Sequence, residues 1–197
     1  SGIEYSLDIQ HIDGGWGYMR KELQAYKSDV SVTGWHAMAL KSAEMAGIDV
    51  PKRAWSRIIA FIDTACDGRG NAGYTQANQY ITPLNPSTLP VGLLCRQFAP
   101  GGAPEDIALA NAQLMMAVRP RYEHEGFFYY TYYGSLSLYQ YGGPVWKKWN
   151  DRVRDLLIEK RERKGGEAGR WAPTQKRWSS WAGRIYATTM ARSPSKC

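Results

Sequence analysis

Apolar positions in this chain recur in two kinds of segment. In the first kind, Trp55, Ile58, Ile59 and Ile62 follow one another at intervals of three and four, and Lys52, Arg53, Arg57 and Asp63 fill the positions between. That spacing predicts a helix with one buried face. In the second kind, over residues 31–46, Trp35, Met38, Leu40 and Met45 are interleaved with Ala37, Ala39, Ala43 and Ala46, so the segment is apolar on more than one side. It contains no Pro and stops at Gly47, a residue suited to the left-handed position just past a helix end. A helix of this kind packs on several neighbours and is read as an inner helix, with the one-sided segment as its outer partner. Only Ile48-Asp49-Val50-Pro51 separates them, which makes them antiparallel neighbours.

The same alternation restarts downstream. Gly73-Tyr74 stands where Gly15-Trp16 stood; an apolar segment at 89–98 precedes Pro104-Glu105-Asp106, whose acidic turn opens a helix carrying Ile107, Leu109, Leu114, Met115 and Val118. Gly126-Phe127-Phe128 begins a third unit, with residues 132–141 as inner helix and about 144–164 as outer helix, Val145, Trp149, Val153, Leu156 and Leu157 facing inward. The aromatics at 127–133 also suit a strand, but Gly134, Gly142 and Pro144 favour the helical frame. A fourth unit starts at Gly169-Arg170-Trp171 and holds one apolar segment, 181–191. The repeats thus fall at about 10–66, 67–120, 121–164 and 165–192, within a single domain over 1–197 that ends in a short tail at 193–197. The glycines read as turn residues, and Trp16, Tyr74, Phe128 and Trp171 as plugs over helix ends.

Composition adds little to the fold and something to its surface. A chain of 197 residues with 44% hydrophobic and 22% charged residues has enough apolar material for one sizeable core. No apolar run reaches the roughly 18 residues of a membrane span, and the start of the chain has no signal-peptide pattern. The expectation is a soluble protein, cytoplasmic or exported after cleavage of a signal. Three widely spaced cysteines, Cys66, Cys95 and Cys197, argue against a disulfide framework. The net charge of +7 is concentrated at residues 147–196, where fourteen Lys or Arg face five Asp or Glu. Lys147, Lys148, Arg152, Arg161, Arg163, Lys164, Lys176 and Arg177 are candidates for contact with nucleic acid or another anionic surface, against the plainer reading of a solvated, mixed-sign helix face.

Gln10-x3-Gly14-x-Trp16, followed by Asp29-x-Ser31-x-Thr33-Gly34-Trp35-x-Ala37-x-Ala39-Leu40, resembles the turn and inner helix of the prenyltransferase/squalene-cyclase repeat family. Gly165-x3-Gly169-x-Trp171 is similar, with Gly in place of Gln. The resemblance implies an all-α fold, an α/α-toroid of inner and outer helices, here incomplete at about three and a half hairpins. It also assigns Gln10, Gly14, Trp16, Asp29, Gly34, Gly169 and Trp171 to the structural motif. The last inner helix lacks an outer partner, so association with another chain or with a second copy is expected at the open ends.

The chemistry of that family is not evident. Class II cyclases need an acidic Asp-x-Asp-Asp cluster to protonate an alkene, and class I enzymes an Asp-Asp-x-x-Asp motif to hold magnesium and diphosphate; the sequence has neither. Asp13, Asp29, Asp63 and Asp67 are isolated, and Asp29 suits a helix cap. Asp63-x-x-Cys66-Asp67 with His36 or His124 does not have the spacing of the family's zinc site, and His11, His36 and His124 read as ordinary turn or helix residues. No catalytic residue, metal or cofactor is assigned. The expected function is a non-catalytic, cyclase-like helical-repeat module that binds a partner polypeptide or an apolar ligand; the alternative is an isoprenoid-handling enzyme whose aromatics stabilise carbocations. Trp35, His36, Tyr129, Tyr130, Tyr132, Tyr133 and Trp181, which start inner helices, are read either as the lining of a binding face or as core.

Overall fold

The computed structural model describes residues 1–19, 28–67, 70–75, 87–124, 126–174 and 177–192, with the backbone only at 177–179. The described residues are all-helical, with a single isolated β-bridge between Cys66 and Ala72. In order the elements are α1 (Gly2–Asp8), α2 (Val30–Met45), α3 (Lys52–Ala65), α4 (Leu89–Phe98), α5 (Glu105–Ala117), α6 (Phe127–Tyr141), α7 (Gly143–Lys160) and α8 (Arg177–Arg192), with a 3-10 turn at Gly165–Glu167. None is long and apolar enough to cross a membrane. The chain divides into two compact units, one of residues 1–81 and 91–111, the other of 82–90 and 112–197.

In the first unit, α2 packs on α1 and α3. The Asp29 carboxylate caps α2 by accepting from the Val32 amide at 2.8 Å, leaving the helix to bury Val30, Thr33, Gly34, Ala37, Leu40 and Ala43 along one stripe. Its second apolar side is exposed: Trp35 is 43% and Met45 82% accessible. α3 is one-sided as its spacing predicts, with Trp55, Ile58, Phe61 and Ile62 buried, and the Trp55 indole donates to Glu44 of α2 at 2.6 Å. The short helix α1 goes unsignalled by periodicity, because seven residues complete too few turns to show a face.

In the second unit, α6 packs on α7 and α8 and is buried almost all round. α7 offers it a single face of Trp149, Val153 and Leu157. The two helices approach closely because residue 134 is glycine: a Cβ there would lie 2.4 Å from Trp149 Cζ2. The Trp149 indole then donates to Ser135 Oγ at 3.1 Å, and Tyr130 meets its ring edge-on at 5.4 Å.

Two boundaries differ from the sequence reading. Phe127 and Phe128 are not a turn before the helix but its first turn, their rings packed edge to face at 5.1 Å and both buried. Burying two adjacent aromatics on a helix surrounded by neighbours overrides the glycine punctuation before them. The segment at 181–191 is not one uninterrupted helix either, since Gly183 takes φ 71°, ψ −169° and breaks the helical path. The tail at 193–197 lies outside the described residues.

Candidate functional site

The Gln10 to Trp16 turn is a joint between three helices. Gln10 Nε2 donates to the carbonyl of Gly14 at 2.8 Å and to that of Ala54, in the first turn of α3, at 3.4 Å. Gly14 holds φ 98°, and a Cβ there would stand 2.0 Å from the Arg57 carbonyl oxygen, so no other residue fits. Arg57 returns the contact by donating from Nη2 to the His11 carbonyl. Trp16 is 1% exposed; its indole donates to the Ser6 carbonyl of α1 at 2.9 Å, and its backbone amide donates to Thr33 Oγ1 of α2 at 3.0 Å.

The second unit rebuilds this joint without the glutamine. Trp171 donates from its indole to the Leu157 carbonyl at 2.8 Å and from its backbone amide to Thr188 Oγ1 at 3.4 Å. Both tryptophans lie 17 residues before their threonine. Where Gln10 bridges the first turn, backbone bonds close the second: Gly169 N to Glu162 O at 2.8 Å and Glu162 N to Arg170 O at 2.9 Å. The sequence motif includes Thr33 without a role for it and does not include Thr188; the shared separation is visible once the two tryptophans are aligned.

Two polar clusters surround the first joint. Ser28 Oγ lies 2.6 Å from Asp13 Oδ1 and 3.1 Å from His11 Nδ1, while His11 Nε2 faces the Met19 carbonyl at 3.1 Å. The residue types are those of a hydrolytic triad, but the order is wrong. Serine sits between histidine and aspartate, the aspartate does not orient the imidazole, and Ser28 is fully buried. The cluster ties the turn to the start of α2. In the second, His36 stacks on Trp16 with centroids 4.5 Å apart and planes 6° from parallel, and its Nδ1 is 2.7 Å from Ser6 Oγ. Burial, assisted by the neighbouring His11, pulls the His36 imidazole down to about 4, so the ring is neutral at physiological pH.

The candidate acids are engaged in local structure. Asp29 caps α2, and burial raises its pKa against the pull of the Val32 and Ser31 amides. Asp63 pairs with the buried Arg96 of α4 at 2.6 Å. Asp67 accepts from the backbone and side chain of Asn71 at 2.9 and 2.7 Å, closing a turn. His124 Nδ1 accepts from the Gly126 amide at 3.4 Å. Among the described residues, no three His, Cys, Asp or Glu side chains gather as a metal site.

The seven candidate binding residues fall into three groups. Trp35 and Trp181 are exposed, at 43% and 77%. Tyr130 and Tyr133 are core: the Tyr130 hydroxyl donates to the carbonyls of Met115 and Val118 at 3.1 and 3.2 Å, and Tyr133 is fully buried. His36, Tyr129 and Tyr132 are half-buried, and the two tyrosines pack on Tyr133 with centroids 4.7 and 5.2 Å away. The α6 residues therefore come together with one another as packing. Of the eight candidate cations, Lys147 is paired with Asp151 at 3.1 Å, while Lys176 and the Arg177 side chain lie outside the described residues.

Fold and site together define an all-α chain built on tryptophan-anchored helix joints. Comparison with family models, curated proteins and solved structures finds no match.

Proposed function

We propose that this chain is a helical-repeat binding module of the prenyltransferase/squalene-cyclase type that associates with a partner polypeptide or an apolar ligand and carries no catalytic acid of its own. The observation that carries the reading is the second face of α2. Trp35 and Met45 are exposed on this helix, whose buried stripe packs on its neighbours, whose first turn is fixed by the Asp29 cap and the Trp16 joint, and whose last turn is held by the Trp55 to Glu44 hydrogen bond. An apolar side chain held at a rigid position loses little conformational entropy on docking. The engagement of Asp29, Asp63 and Asp67 in a cap, an ion pair and a turn supports a scaffold role.

Light scattering over a concentration series, with a fluorescent apolar probe, tests this. The expected result is concentration-dependent association or probe binding that is lost in Trp35→Ala/Met45→Ser while the variant keeps a cooperative melt. A wild-type chain that stays monomeric and binds no probe overturns it. Incubation with squalene, oxidosqualene and prenyl diphosphates tests the enzymatic alternative, and turnover lost in Asp13→Asn or Asp29→Asn would establish that alternative instead.

A further inference from the structure

Cys66 and Cys95 meet inside the first unit. Cys66 stands at the C-cap of α3, where the backbone has turned extended at φ −110° and ψ 146°. Its side chain packs on α4: a Cβ built on Gly92 would stand 3.1 Å from the Cys66 sulfur. Residues 92, 95 and 96 are one turn apart and share a single facet of that helix. Arg96, at one corner of the facet, is buried, is held by Asp63 at 2.6 Å, and hydrogen-bonds the Cys66 sulfur. Cys95, at another corner, is close enough for charge on Cys66 to act on it. The Cys66 sulfur thus lies over a facet that carries a second thiol. The two differ in access, since Cys66 is partly open to solvent and Cys95 is 1% exposed.

From this juxtaposition we infer that Cys66 and Cys95 are an oxidisable pair, with Cys66 as the attacking thiol, Cys95 as the resolving thiol and a low-molecular-weight disulfide of the glutathione class as oxidant. The Cys66 thiolate attacks one sulfur of the small disulfide, which forms a mixed disulfide and releases a small thiolate that takes a proton from solvent. Cys95 then gives its proton to solvent, and its thiolate attacks the Cys66 sulfur and expels the second small thiolate, which is protonated in turn. Two protein thiols lose two electrons and two protons, and the small disulfide leaves as two thiols. The roles follow from access and charge. Only Cys66 reaches a reagent in solution, and the guanidinium beside it supports its thiolate. Cys95 is closed to solution but shares the facet on which the mixed disulfide forms. Burial disfavours both thiolates, so both steps are slow while the fold is closed. The product is an uncharged bond from the end of α3 to the body of α4, a slowly set staple that restricts the unfolded chain.

The test uses the full chain as Cys197→Ser, folded and reduced, held with oxidised glutathione in native buffer, then quenched with acid and weighed intact. A further Cys95→Ser chain runs beside it as a clock. That variant should stop with one glutathione on Cys66, and a Cys66→Ser chain should take up none. By the time the clock chain is fully modified, the Cys197→Ser chain should instead have lost two hydrogens and kept no glutathione. Trypsin should then release peptides 58–69 and 70–96 joined to each other until a reductant is added. The oxidised chain should unfold in urea with an equilibrium constant roughly a hundredfold smaller than the reduced chain. A Cys197→Ser chain that retains a glutathione on Cys66, or a clock chain that acquires none, overturns the proposal. So does a cross-link that forms only in urea, which would belong to the unfolded chain, or an oxidised chain no more stable than the reduced one.

Discussion

At the scale of single residues, His36 is the most informative side chain because its chemistry and its packing pull in one direction. Stacked on Trp16 and bonded to Ser6, it is neutral in the fold and, with burial holding it down to about 4, harder to protonate than in an unfolded chain. A group with a depressed folded pKa stabilises fully above its unfolded value of 6.5, and that contribution is lost as pH falls toward about 4. Stability should therefore fall by about 1 kcal/mol between pH 6.5 and 5, allowing for solvent screening of a half-buried ring. His36→Phe keeps the stack and removes the proton, so its thermal melts across that range should show a correspondingly flatter pH dependence. Parallel curves for wild type and variant would mean that the ring is solvated. Gly14 and Trp16 of the opening turn are legible in sequence, because a turn glycine followed by a large aromatic reads as a plugged joint, and at Gly14 the positive φ beside the Arg57 carbonyl leaves no room for a side chain. The roles of Ser28, Thr33 and Ser6 are not, since a hydroxyl bonded to a side chain or a backbone amide distant in sequence leaves no periodic trace.

At the scale of helices, the division into one-sided and many-sided apolar segments was legible, and α2, α3, α4, α5 and α7 lie close to where the sequence puts them, while α6 begins five residues earlier than the expected 132. Identical patterns nevertheless hide different environments. α2 and α6 are both apolar on several sides, yet α6 buries nearly all of them and α2 leaves Trp35 and Met45 in water. Periodicity records what a helix could bury; what it does bury depends on neighbours that a single sequence does not place. Close approach is equally silent: Gly134 reads as a helix-weakening residue, whereas in the structure it makes room for the Trp149 ring. Gly134→Ala improves helix propensity by about 1 kcal/mol in isolation, but its Cβ would overlap a fully buried indole. Overpacking should win, leaving a net loss of about 1–2 kcal/mol in urea unfolding. A more stable variant would show that α6 and α7 do not meet at this point.

At the scale of the molecule, the two compact units carry different resources, the first holding both described thiols and the second most of the unmatched charge. The thiols report on the first unit's interior. Burial pushes Cys66 up to about 11, more strongly than the adjacent Arg96 draws it down, and pushes the fully enclosed Cys95 to about 12. Cys66 is further walled in by Gly92, where an added Cβ would stand 3.1 Å from its sulfur. Only the thiolate reacts with a disulfide reagent, and at pH 8 a thiol held near 11 is ionised about a hundredfold less than an ordinary one. In a Cys197→Ser chain, Cys66 should label roughly a hundred times more slowly than free cysteine in native buffer, and Cys95 more slowly still. Both should approach the free rate in urea, and the urea concentration at which they do so measures the first unit's unfolding directly. Rapid labelling of Cys95 in native buffer would place α4 outside the core that the Asp63 to Arg96 pair and the Gly92 contact assign to it.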